Sequence, residues 1–240
     1  AGGGTRHAVA GGSDAIVSKP IHILVVDDEP QIRRFLRNSL GSQGYLVSEA
    51  ASGGEALAAV TKEEPDLLVL DLGLPDIDGL EVITRLRERT QLPIVVLSIR
   101  SDESGKVKAL DLGADDYVTK PFGMEELVAR VRTALRHRLQ RQGEAPVFRC
   151  GGLAVDLVRR LVSLNGQEVK LSAKEYDLLR LLVAHAGKVL TQRQILSELW
   201  GPAHVEDTQY LRVSIGQLRE KLEDDATKPA LIAAINEGRV

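Results

Sequence analysis

With 240 residues and 43% apolar content, the chain can fill two ordinary cores, which excludes a wholly disordered protein. Its formal net charge of −3 excludes a protein held to nucleic acid by bulk charge; 18 basic and 22 acidic residues lie up to residue 146 and 13 and 12 after it, so only the second part suits DNA. Cys150 stands alone, which excludes an internal disulfide and fits a reducing cytoplasm, and no apolar run reaches the ~18 residues of a membrane span.

Residues 1–20 begin Ala1-Gly2-Gly3-Gly4 and are rich in Gly, Ala and Ser. They read as a flexible extension without signal-peptide character, and a cytoplasmic protein is expected. From Ile21 strands and helices alternate. The run 21–26 is a buried strand ending at Asp27, Asp28 and Glu29. Pro30 opens a helix with Ile32, Phe35, Leu36 and Leu40 on one face. Residues 46–50 form a second strand. Ser52 with Glu55 makes a capping box for a helix through Val60. The apolar run 67–70 ends at Asp71 before the turn-formers Gly73, Pro75, Asp76 and Gly79. A helix over 79–89 follows, with Leu80, Ile83 and Leu86 inward, then a strand over 94–98 ending in Ser98. A short helix over 104–112 closes at Gly113. Tyr117 lies in a short strand that ends at Lys120 and Pro121, and a helix over 125–138 turns Leu127, Val131 and Leu135 inward. The alternation predicts an α/β domain over 21–138 around a five-stranded, doubly wound parallel sheet with right-handed crossovers.

Laid side by side, these strands bring Asp27, Asp28, Asp71, Ser98 and Lys120 to one edge, where open α/β sheets carry their chemistry. Gathered carboxylates repel unless a cation lies among them, and hard oxygen ligands in a partly open site suit Mg²⁺. A lysine and a hydroxyl beside them provide what a transferred phosphoryl group needs. The set resembles the receiver domain of bacterial response regulators. That resemblance implies Asp71 as phosphoryl acceptor, and Asp28, Asp71, the Gly73 carbonyl and, mainly through water, Asp27 around Mg²⁺. It implies Ser98, Tyr117 and Lys120 as the switch. The branched Ile99 stands where the family has a small residue. The rival reading is a phosphohydrolase with an Asp nucleophile; such enzymes commonly want a second acid two residues on, where Gly73 stands.

Residues 139–146 lose apolar periodicity and read as a linker to a second domain over 147–240. Short strand-like pieces at 147–149, 153–155, 161–164 and 168–171 come first, with Asn165-Gly166 as a hairpin turn. Three helices follow. Ser172 and Glu175 cap the first, Thr191 and Gln194 the second, and Asp207 is expected to cap the third, over 208–222, with Leu211, Ile215, Leu218 and Leu222 as its apolar stripe. Residues 171–179, 187–191 and 218–222 resemble the winged helix-turn-helix effector domain of the OmpR/PhoB group; residues 32–37, 71–76 and 187–194 are nearest to its Kdp-type regulators of potassium transport. The resemblance implies double-stranded promoter DNA, a sensor histidine kinase, RNA polymerase and a second copy of the chain as partners, and a potassium-transport operon as target. DNA contacts are expected from Gln209, Tyr210, Arg212, Ser214, Gln217 and Arg219 of the third helix. Dimer contacts of the receiver are expected from Lys106, Asp111, Asp115, Asp116, Glu126 and Arg130, with Asp116 facing Arg130 and Lys106 facing Glu126 across a two-fold axis. The chain ends unlike the group: residues 231–235 read as one strand of a hairpin whose return strand is short, with Arg239 as a possible minor-groove contact.

Overall fold

Alternate residues of the first-domain strands belong to different faces, and the computed structural model, which describes residues 20–99, 103–143, 145–223 and 230–237, separates them accordingly. Strands β1 (His22–Val26), β2 (Leu46–Ala50), β3 (Leu67–Asp71), β4 (Ile94–Ser98) and β5 (Asp116–Thr119) form a parallel sheet in the order β2-β1-β3-β4-β5. Ile23, Val25, Leu67, Val69, Val95 and Leu97 enter one core, packed by helices α1 (Pro30–Ser42) and α5 (Met124–Arg141). Leu24, Val26, Leu68, Leu70, Ile94 and Val96 enter the other, under α2 (Gly53–Glu63), α3 (Gly79–Arg87) and α4 (Glu103–Asp111). β3 and β4 are buried at every position, as central strands covered on both faces must be. Each such Val, Leu or Ile contributes roughly 1.5–3 kcal/mol by leaving water. The expected elements are present with small shifts at their ends; α5 runs to Arg141, three residues beyond its expected stop at Arg138.

The second domain begins with an antiparallel sheet, β6 (Val147–Cys150), β7 (Leu153–Asp156), β8 (Leu161–Leu164) and β9 (Gln167–Glu168). Asn165 and Gly166 turn β8 into β9 with φ of 52° and 82°, as a type I′ turn requires. Helices α6 (Ala173–Ala184), α7 (Gln192–Trp200) and α8 (Thr208–Leu222) pack on that sheet through a core that includes Leu178, Leu181, Leu196, Leu211 and Leu218. Two of the three expected capping boxes, Ser172 with Glu175 and Thr191 with Gln194, are formed; at α2 the Ser52 hydroxyl accepts from the Glu55 N–H, but the Glu55 carboxylate takes the Ala51 N–H instead of closing the box on Ser52. Asp207 precedes α8 but makes no side-chain cap; its carboxylate lies 2.8 Å from His204 Nδ1 instead.

The strand expected over 231–235 is a helix, α9 (Ala230–Glu237). A lone strand there would leave one edge of its backbone unpaired, whereas a helix satisfies its own N–H groups. Glu223 reinforces this choice by accepting from the Leu231 and Ile232 N–H groups at 2.9 and 2.7 Å, while Ile232 is buried in the second-domain core. Residues 1–19 and Arg239 lie outside the described residues.

The two domains touch at the amino end of the receiver sheet. Val158, in the turn between β7 and β8, is 1% exposed and belongs to the core under α1 and α5. Its carbonyl accepts from the Tyr45 hydroxyl at 3.0 Å. Next to it Arg160 lies against Gly44, pairs with Asp177 at 3.1 Å and stacks 4.1 Å above the Tyr176 ring of α6. The first helix of the second domain is thus tied through one arginine to the receiver surface.

Candidate functional site

Three strand ends converge at the carboxyl edge of the parallel sheet. β1 delivers Asp27 and Asp28, β3 delivers Asp71, and β5 delivers Lys120. Oxygens of the three carboxylates lie within 4.8 Å of one another. Lys120 Nζ donates to Asp27 Oδ2 at 2.6 Å and to Asp71 Oδ2 at 2.9 Å. Asp27 is fully buried, Asp71 nearly so, and Asp28 is exposed. The donor set is therefore all oxygen and open on the Asp28 side, which fits a hard divalent ion that retains water.

Electrostatics follow from that burial. Desolvation pushes the Asp27 carboxyl up, against the Lys120 ammonium and the Glu29 N–H that favour its charge. Burial alone would push the Lys120 ammonium down, but its bonds to Asp27 and Asp71 prevail and raise it. The lysine stays charged and bridges the two carboxylates. Arg33 adds a donor that sequence pattern gave no reason to expect: its Nη1 reaches the backbone carbonyls of Asp27 and Asp28 at 2.6 and 3.1 Å, fixing the turn that presents them.

Ser98 is 1% exposed at the end of β4, and its carbonyl accepts from the Lys120 N–H at 2.8 Å, tying the hydroxyl-bearing strand to the lysine-bearing one. Tyr117 is already inside, 4% exposed in the core under α2, α3 and α4. Ile99 is 77% exposed and so is not packed into the floor of the site.

The residues expected to pair receivers fall on α4, β5 and α5, but not all are free to do so. Asp116 is half-buried and takes Arg130 of its own chain at 3.2 Å, and Arg130 also reaches Glu126 at 3.7 Å. An Asp116–Arg130 pair between chains would exchange a bond that already exists within one. Asp115 is committed inward, to Arg87 and Arg141 at 3.2 and 3.0 Å and to the Ile94 N–H at 2.9 Å. Lys106 and Asp111 are exposed on α4.

On α8, Gln209, Tyr210, Arg212 and Gln217 are exposed, whereas Ser214 and Arg219 are half-buried and stand partly behind that surface. Val213, 53% exposed between them, lies on the outward face but is not among the DNA contacts expected from sequence. An apolar side chain held out on such a helix is the signal that could have found it.

Residues 23–132 match the response regulator receiver domain family, and residues 166–238 match the family of transcriptional regulatory protein C-terminal domains. The KDP operon transcriptional regulatory protein KdpE of Escherichia coli (strain K12) is 48% identical over 208 residues, spanning 87% of this chain and 92% of that protein. The transcriptional regulatory protein KdpE of Mycobacterium tuberculosis is 48% identical over 208 residues, spanning 86% and 92%. Among solved structures, the response regulator DrrB, a Thermotoga maritima OmpR/PhoB homolog, aligns over 88% of this chain and 94% of its own at 31% identity and a TM-score of 0.45. No helix among the described residues is long and apolar enough to cross a membrane. The chain therefore belongs to the response regulators of the OmpR/PhoB type, two-component proteins in which a receiver domain and a DNA-binding domain serve the regulation of transcription.

Proposed function

We propose that Asp71 takes a phosphoryl group from a sensor histidine kinase and that the phosphorylated chain dimerises and binds promoter DNA in the cytoplasm. The observation that carries this is the joining of Asp27 and Asp71 by Lys120 Nζ beside Asp28. An Asp71 carboxylate oxygen forms a bond to phosphorus while the bond from phosphorus to the donor imidazole nitrogen breaks, and the electron pair leaves with the imidazole. Asp27, Asp28, Asp71 and the Gly73 carbonyl would hold Mg²⁺, which when bound neutralises charge on the phosphoryl oxygens. Lys120 turns from the carboxylates to a phosphoryl oxygen, and the Ser98 hydroxyl donates to another. Because the Lys120 N–H also holds the Ser98 carbonyl, the ends of β4 and β5 move as a pair. The α4–β5–α5 face is built on those strands, and dimerisation would use Lys106, Asp111, Asp116, Glu126 and Arg130 with rearranged ion pairs.

α8 is the element for the major groove. Arg212 is suited to guanine, Gln209 and Gln217 to adenine, and Val213 to a thymine methyl, with Tyr210 toward the backbone. Identity to KdpE of E. coli favours a potassium-transport operon as the target, with RNA polymerase as the partner recruited there. Asp71→Asn is expected to abolish labelling by a radioactive acyl-phosphate donor and any donor-dependent gain in DNA affinity. Label retained on that variant would place the acceptor elsewhere.

A further inference from the structure

We infer that Asp76 is a positioning residue for the metal and phosphoryl site: its carboxylate anchors the loop between β3 and α3 onto the amino end of α2, and so fixes the Gly73 carbonyl against Asp71. The inference rests on the reading of Asp71, Asp27, Asp28 and Gly73 as that site.

Both Asp76 oxygens are engaged. Oδ1 accepts from the Gly53 N–H at 2.8 Å and Oδ2 from the Gly54 N–H at 2.8 Å. The Ser52 hydroxyl accepts from the Glu55 N–H at 3.2 Å, so the first-turn donors of α2 are filled by two residues from two different segments. Asp76 is exposed, yet the Gly54 and Gly53 N–H groups hold its carboxyl below the usual carboxylate range. The sequence supports this approach with two consecutive glycines. A Cβ at Gly53 would lie 2.9 Å from Val82 Cγ2 and 3.0 Å from Ile77 Cβ, and one at Gly54 would lie 3.2 Å from Asp76 Oδ2. A side chain at Gly53 would push into the loop, and one at Gly54 would crowd the Asp76 carboxylate.

The loop is also held where it enters α3. Gly79 donates to the Leu72 carbonyl at 3.1 Å, and a Cβ there would sit 2.6 Å from Leu72 Cα. Gly73 lies between these two supports, its N–H 3.3 Å from Asp71 Oδ1. Losing Asp76 leaves one support, and the Gly73 carbonyl can then turn relative to Asp71. Outer partners of this kind typically change metal affinity by about 10- to 100-fold.

The bland alternative is that Asp76 caps α2 and does nothing more. Ser52 caps the same helix through the Glu55 N–H, so it supplies the control. Titration calorimetry of the full chain with Mg²⁺ should show affinity about tenfold weaker in Asp76→Ala, intermediate in Asp76→Asn, and unchanged in Ser52→Ala. At saturating Mg²⁺ the Asp76→Ala chain should accept phosphoryl from an acyl-phosphate donor at the parent rate, because only the placement of the carbonyl is lost. Parent-like Mg²⁺ affinity in Asp76→Ala, or equal weakening in Ser52→Ala, overturns the inference. Asp71→Asn in the same titration separates the two levels: undiminished Mg²⁺ binding there means that the site itself is misassigned.

Discussion

The edge of the receiver sheet and the outer face of α8 are the two surfaces to which we assign function, and they are built in opposite ways. At the sheet edge, side chains from three strands converge, lose water and bind one another; Lys120 is 8% exposed, and its partners Asp27 and Asp71 are 0% and 9% exposed. On α8, Gln209, Arg212 and Gln217 diverge into solvent. A site that performs chemistry on itself must gather like charges, and the fold has to hold them together. A surface that reads a partner leaves its groups outside and draws on the partner to satisfy them. Function and stability are therefore coupled in the first region and separate in the second.

The largest expected effect tests the first half of that contrast. Lys120→Met removes the cation between two buried carboxylates, and breaking a buried ion pair from one side typically costs about 3 kcal/mol or more. In urea, without Mg²⁺, the receiver transition should fall by about that amount, and added Mg²⁺ should recover part of it by replacing the lost positive charge. A variant as stable as the parent would mean that the three acids are not held against their own repulsion. The second half is tested by Arg212→Ala. A side chain that reads a base edge contributes about 1–3 kcal/mol of discrimination, so affinity for the target promoter should drop about 10- to 100-fold. The melting of the second domain should not change, because Arg212 is exposed. Lost stability with intact DNA affinity would put Arg212 among structural residues.

The same contrast explains what could be read from the sequence. Strands that end in acid, acid, hydroxyl and lysine are local patterns, and a parallel sheet turns four local patterns into one edge. The five strands, the capping boxes at Ser172 and Thr191 and the cluster of Asp27, Asp28 and Asp71 follow from such patterns. Contacts that depend on one segment meeting a distant one left no trace. Asp76 reads as a turn-former, and Gly53-Gly54 as a weak helix start, until the structure joins them. The expected pairing of Asp116 with Arg130 between chains comes from the resemblance, and nothing in their spacing reveals that they also meet within one. The run Leu231-Ile232-Ala233-Ala234-Ile235 suits a strand or a helix equally; the carboxylate of Glu223, eight and nine residues from the N–H groups it holds, favours the helix.

The smallest expected effect concerns the joint between the two regions. Tyr45 lies just before β2, at the amino end of the sheet, while Asp71 closes β3 at the carboxyl end. A contact there can hold the domains together without entering the chemistry. Burial pushes the Tyr45 phenol up, so it remains a proton donor to the Val158 carbonyl throughout the physiological range. Tyr45→Phe keeps the ring and removes only that donor, leaving a carbonyl without its partner, at a cost of about 1 kcal/mol. The effect should appear as a small separation of the two domains' melting transitions and a wider distance between fluorophores placed one on each domain. Labelling of Asp71 by an acyl-phosphate donor should be the same as in the parent. Slower labelling in Tyr45→Phe would show that the joint reaches the sheet's other end, and that the domain contact takes part in the switch rather than merely holding α6 beside it.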